Sequence, residues 1–94
     1  MALRVNWSSR AARDVEAIAD YIALDSPTYA RAVVKRIVGV TRTLSTFPNS
    51  GRMVPEFQDQ CIRELIAYSY RIIYVVSEDE VLIAAIIHGK RDLT

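Results

Sequence analysis

Apolar residues in this chain change period twice, from strand to helix spacing and back. Leu3, Val5 and Trp7 alternate with Arg4 and Asn6, a period of two that predicts a short N-terminal strand. The spacing then lengthens. Ala11, Val15, Ile18, Ala19 and Ile22 recur every three or four residues, which predicts an amphipathic helix with Ser8 or Ser9 as its N-cap. Asp25-Ser26-Pro27 breaks the pattern. Ser26 suits the cap of a second helix, and Pro27 suits its first position, where no N–H is needed. Ala30, Val33, Val34, Ile37, Val38, Thr41 and Leu44 form the second apolar stripe. So short a connection predicts an antiparallel helical hairpin.

Phe47-Pro48-Asn49-Ser50-Gly51 reads as a turn, and Arg52 to Gln60, which has no regular period, as an ordered loop. Three runs rich in Ile, Val and Tyr follow: 61–67, 70–77 and 81–88. The short links Tyr68-Ser69 and Glu78-Asp79-Glu80 predict an antiparallel meander. The expected fold is therefore α+β, in the order β-α-α-β-β-β, with four strands. Strict alternation places Tyr70, Ile72, Tyr74 and Val76 opposite Arg71, Ile73, Val75 and Ser77. In the last strand it sets Val81, Ile83, Ala85 and Ile87 against Leu82, Ala84, Ile86 and His88. Both faces are apolar, whereas a half-solvated sheet should show one polar face. Two helices cover one face. The other calls for a cover, for which a partner protein is the favoured reading and the loop carrying Val54 and Phe57 the alternative.

Length and composition narrow the class. Ninety-four residues hold one core. With 51% apolar residues and only three Gly and three Pro, disorder is excluded as the main state. No uncharged run approaches the roughly 20 residues of a membrane-spanning helix. The first residues lack a secretion signal, which points to a cytoplasmic protein. One Cys and one His leave little for a structural metal, so no cofactor or metal is expected, and Cys61 is read as a small buried hydrophobe. The formal net charge is only +1, but ten arginines outnumber two lysines, and residues 26–52 contain five cations and no acid. That stretch is either a solvated helix face or a patch for phosphate or an acidic partner.

The chain has no nucleophile triad and no phosphate-binding glycine loop. Three polar positions stand out. Arg71 lies inside an apolar strand, where a charge needs a partner such as Glu64 or Glu56, or else a function. Arg63-Glu64 raises the same question on the preceding strand. His88, the single histidine, ends the last strand beside Lys90 and Arg91.

A set of short motifs in fixed order resembles the RelE/ParE superfamily of type II toxin–antitoxin toxins. The N-terminal ones are Trp7 followed by serine and a helix, Ile18-Ala19-Asp20-Tyr21-Ile22 and Asp25-Ser26-Pro27. Phe47-Pro48, Gly51-Arg52 and Val54-Pro55-Glu56 follow. The last are Arg63-Glu64-Leu65, Tyr70-Arg71-Ile72-Ile73-Tyr74 and Ile87-His88-Gly89-Lys90-Arg91. The resemblance covers nearly the whole chain and implies a helical hairpin on a small antiparallel sheet.

The superfamily implies two activities. Its RelE branch cleaves messenger RNA in the ribosome, and by position Arg71, Glu56 and His88 would be the catalytic set. Its ParE branch poisons DNA gyrase and leaves cleaved DNA. The segments His88-Gly89-Lys90-Arg91, Arg63-Glu64-Leu65 and Gly51-Arg52 resemble that branch more closely. The favoured expectation is gyrase inhibition by binding, with Arg63, Arg71, His88, Lys90 and Arg91 engaging gyrase or its DNA. A toxin fold without activity, kept as an antitoxin-binding module, is the third reading. Each implies a cognate antitoxin, ParD-like or similar, in a hetero-oligomer with this chain. Its expected contacts are Trp7, Ile18, Tyr21, Ile22 and Leu24, with Tyr21 and Leu24 lying off the helix's main stripe.

Overall fold

The computed structural model describes residues 2–90. β1 (Arg4–Trp7) runs into α1 (Ser9–Ala23), whose cap is Ser8: its Oγ accepts the Ala11 N–H at 3.0 Å. Three residues later α2 (Pro27–Arg42) begins, capped in the same way by Ser26 onto the Tyr29 N–H, with Pro27 in its first turn. A single 3₁₀ turn, Thr43–Ser45, inserts Leu44 into the core. β2 (Arg52–Met53), β3 (Ile62–Ala67), β4 (Tyr70–Val76) and β5 (Glu80–His88) complete the sheet.

The strand order is β1-β5-β4-β3-β2. The last three strands form the expected meander, with β3 and β5 both antiparallel to β4. Two features of the sheet depart from expectation. The segment read as loop contributes β2, which pairs Arg52 with Glu64 and Met53 with Arg63, so the sheet has five strands. Two residues are too few for a period to show. β1 lies parallel to β5, pairing Val5 with Val81 and Trp7 with Ile83.

The helices cover one face. Ala11, Val33 and Ile37 meet Ile72, Tyr74, Val81, Ile83 and Ile86 in the main core, and Val15, Ile18 and Ile22 pack against it. Ile86 was assigned to the opposite face by strict alternation. The correction is a β-bulge: Ile73 pairs Ala85 and Tyr74 pairs Ile83, leaving Ala84 as one extra residue. Beyond it the faces exchange, so Ile86 joins the helical core while Ala85 and Ile87 turn to the other side. Ser8 and α1 hold this irregularity. Ser8 Oγ donates to the Ala84 carbonyl at 2.9 Å, and the Ile86 N–H donates to Asp14 Oδ2 at 2.9 Å.

The second face is covered in part by the loop that the sequence offered as the alternative, although Phe57 stays 47% exposed. Val54 is fully buried there, packed with Ile73, Ala85 and Ile87 and flanked by Ile62. The chain's own 54–60 loop supplies this lid over part of the face. Cys61, expected to be buried, is exposed.

Tyr74 anchors the turn before β2. Its fully buried hydroxyl accepts the Gly51 N–H at 2.9 Å and donates to the Pro48 carbonyl at 2.8 Å. A Cβ on Gly51 would lie 2.6 Å from that hydroxyl, so the site admits only glycine.

Candidate functional site

The sequence-selected residues fall into three places. The first lies on the second face of the sheet. There Arg71, buried in the middle of the strands, gains both of the carboxylates the sequence offered. Its Nε donates to Glu64 Oε1 at 2.6 Å, while Nη1 and Nη2 donate to the two oxygens of Glu56 at 2.8 Å each. Glu64, with no exposed side-chain surface, also accepts from Arg52 Nε at 2.5 Å. Two cations and two anions thus alternate from the surface inward. The hydrogen bonds to Glu56 push the Arg71 guanidinium's proton affinity up, against the opposing effect of desolvation, so it stays charged. The bidentate pair ties Glu56, and with it the 54–60 loop, to β4. Arg63, opposite Tyr74 and so on the other face from Glu64, is half-buried and binds backbone, donating from Nε to the Gln60 carbonyl and from Nη1 to the Gly51 carbonyl, both at 2.9 Å.

The second place is the end of β5. His88 is exposed and pairs with Tyr70, their ring centroids 6.0 Å apart at an angle of 79°. The Lys90 N–H donates to His88 Nδ1 at 3.2 Å, and the Lys90 side chain faces solvent. An open groove of about 340 Å³ runs from here to α1, between His88, Tyr70 and Ile86 on one side and Ile18 and Tyr21 on the other. Arg91 lies outside the described residues.

These two places are on opposite faces. Tyr70, which carries His88, packs toward the helical core, whereas Arg71 points to the face with Val54 and Ile73. Arg71 and Glu56 therefore meet, and His88 does not join them.

The third place is the C-terminal half of α1. Ile18 and Ile22 are half-buried against the main core, and so is Trp7 on β1. Tyr21 and Leu24 are 75% and 82% exposed. Sequence reasoning missed two further exposed rings, Tyr29 and Tyr68, which meet edge to face with centroids 5.8 Å apart. Tyr68 sits in a two-residue link between apolar strands, where a polar or glycine residue is the usual choice. That choice was the available signal. Among the described residues, no three of His, Cys, Asp and Glu converge as a cation site, and no helix is long and apolar enough to cross a membrane.

The family model for the ParE toxin of the type II toxin–antitoxin system parDE matches residues 5–93. The toxin RelE2 of Caulobacter vibrioides is 34% identical over 89 residues, 94% of this chain and 97% of its own. Among solved structures, a chain of the chromosomal ParDE system of P. aeruginosa superposes with a TM-score of 0.78 at 26% identity, covering 95% of this chain and 98% of that one. The Staphylococcus aureus YoeB dimer gives a TM-score of 0.65 at 15% identity over 94% and 98%, a likeness of fold.

Proposed function

The chain belongs to the ParE toxin family of type II toxin–antitoxin systems, and from that premise we propose that it arrests growth by binding DNA gyrase rather than by cutting RNA. One observation carries the choice. RNA cleavage at the 2′-hydroxyl needs a base, an acid and a phosphate-stabilising cation around one phosphorus. The candidates for those roles are divided between the two faces of the sheet. The candidate cation, Arg71, is internal and matched by two carboxylates. Binding makes no such demand for convergence.

In this reading the target contact is the exposed end of β5. His88 and Lys90 supply it, continued by Arg91. Arg71 and Arg63 serve as positioning residues: they fix the 51–60 segment against β3 and β4. The antitoxin, ParD-like by analogy with the P. aeruginosa ParDE system, forms a hetero-oligomer with this chain. It covers Tyr21 and Leu24 and the groove beside them. Trp7, Ile18 and Ile22 shape that surface from below, and their main work is packing. The setting is cytoplasmic, where gyrase and its DNA are.

A supercoiling assay with purified gyrase and relaxed plasmid tests this. The expected result is dose-dependent inhibition with accumulation of cleaved plasmid, relieved by antitoxin and weakened by Lys90→Ala. Unimpaired gyrase, together with cut messages in a translating extract, would replace this reading by the ribonuclease one. Normal growth during expression of soluble chain would leave only the antitoxin-binding module.

A further inference from the structure

Tyr29 and Tyr68 do not belong to the β5 end or to the Tyr21–Leu24 surface. Each is about half exposed, at 49% and 51%, and their edge-to-face contact leaves ring surface open to solvent. Tyr68 holds a left-handed backbone conformation, φ 54°, which a turn normally assigns to Gly or Asn. A bulky ring kept at a strained exposed position points to use of that ring.

Cations flank the pair. The Gly89 N–H donates to the Ser69 carbonyl at 2.6 Å, which seats Lys90 next to the Tyr68-Ser69 turn. On α2, Ala32 and Arg36 follow Tyr29 at three and seven residues, on the same side of the helix. One turn further along α2, an open groove of about 510 Å³ is lined by Ala32, Lys35, Arg36, Gly39, Val40 and Thr43. Small residues form its floor, and Lys35 and Arg36 are its charges. No acid occurs from Ser26 to Pro55, and Asp25 is the acid nearest to Tyr29 in sequence. From Tyr29 to Thr43 a helix advances about 21 Å.

An aromatic platform opening into a cationic, acid-free groove is the arrangement that holds an unpaired nucleic-acid strand. Bases stack on rings whatever their identity, and the groove's cations follow the phosphates. We propose that Tyr29, Tyr68, Lys35, Arg36 and Lys90 form a binding surface for single-stranded nucleic acid, with bases stacked on the two tyrosines and phosphates along α2. An acidic protein segment would match the groove's charge but would not need two open rings. This surface shares Lys90 with the proposed target contact, but its two rings and its α2 cations lie outside that contact.

The test is fluorescence anisotropy of the purified full chain with a labelled deoxythymidine decamer, at low salt and over a salt series. A duplex of the same length is the control. Single strands bind more tightly than duplex. The double substitution Tyr29→Ala and Tyr68→Ala weakens binding roughly tenfold or more, and Tyr29→Phe with Tyr68→Phe retains it. Lys35→Gln with Arg36→Gln flattens the salt dependence by about 1.4 in log–log slope, roughly 0.7 per cation. Circular dichroism confirms that each variant is folded. Absence of single-strand binding at low salt, equal preference for duplex, or unchanged affinity without the rings would each overturn the proposal. So would ring variants that lose the cognate antitoxin while binding the decamer as before, since the pair would then be a protein interface.

Discussion

Replacing Arg71 with methionine removes the guanidinium but keeps much of the stem. The Arg71 side chain is 6% exposed, that of Glu64 0% and that of Glu56 14%. The variant leaves one carboxylate fully buried and another mostly so, and for Glu64 the remaining cation is Arg52, at 64% exposure. Removing one partner of a buried ion pair costs about 3–5 kcal/mol, because the remaining charge has lost both water and its counter-ion. A domain of this length has a total stability of about 5–14 kcal/mol, so the loss is a large fraction of it. At about 4–8 °C per kcal/mol, the midpoint of thermal unfolding falls by at least about 12 °C. Two comparisons isolate the cause. Arg52→Ala, at the exposed end of the same chain of charges, costs about 0–1 kcal/mol. Combining Arg71→Met with Glu64→Leu and Glu56→Gln recovers most of the loss, since an apolar replacement of a buried pair is often neutral. Thermal and urea unfolding followed by circular dichroism measures all three. If Arg71→Met stays within 1 kcal/mol of the parent, or the triple variant is less stable than the single one, the interior charge network is not what holds the 54–60 loop.

Tyr74→Phe removes a hydroxyl that serves the Gly51 N–H and the Pro48 carbonyl, and costs about 1–3 kcal/mol in urea unfolding. The same tyrosine gives a pH signature. Burial raises its pKa above the ordinary 10.0, so above that pH the unfolded chain loses a proton that the folded chain keeps. Stability is therefore full below pH 10, falls as pH rises beyond it, and falls less steeply in Tyr74→Phe when followed by unfolding at graded alkaline pH. Ser8→Ala loses both the cap on the Ala11 N–H and the bond to the bulge carbonyl, at about 1–2 kcal/mol in the same unfolding assay. Tyr21→Ala with Leu24→Ala changes stability by no more than about 0.5 kcal/mol each, because both side chains are exposed. Calorimetric titration with the antitoxin shows the variant binding at least tenfold more weakly if this surface is the interface, and unchanged affinity would place the interface elsewhere.

Much of the fold could be read from the sequence because local signals and packing agree. Ser8 and Ser26 cap the helices they were assigned to, and the two stripes face one core. Two of the errors depended on contacts distant in sequence. Strict alternation failed in β5 because Ser8 and Asp14, more than 70 residues away, satisfy the backbone of a bulge that no local pattern marks. The 52–60 segment looked irregular because its order comes from β3 and from Arg71 rather than from its own period. Cys61 is exposed because it stands just before β3, where the apolar alternation has not yet begun.

The candidate site was less legible, and Arg71 shows why. A charge inside an apolar strand signals a requirement, but its sequence does not say whether the requirement is internal or external. Two carboxylates at the right reach make it internal here, and the pairing leaves none of the guanidinium's charge unmatched for a phosphate. The charge available to a target lies instead where the apolar period stops: Lys90 after β5 and Lys35 and Arg36 on the outer side of α2, all exposed. The sequence marked Lys90 beside His88 and the acid-free stretch that holds Lys35 and Arg36, but a surface lysine or arginine is ordinary by type. They become informative only through their neighbours, His88 on the Tyr70 ring and the Tyr29–Tyr68 pair. On the gyrase reading no reacting atoms need be brought to one point, and the function is spread over such surfaces. Substituting Lys90 therefore separates two roles that substituting Arg71 would confuse. Lys90→Ala lowers gyrase inhibition at unchanged unfolding midpoint, whereas an Arg71 variant loses both together.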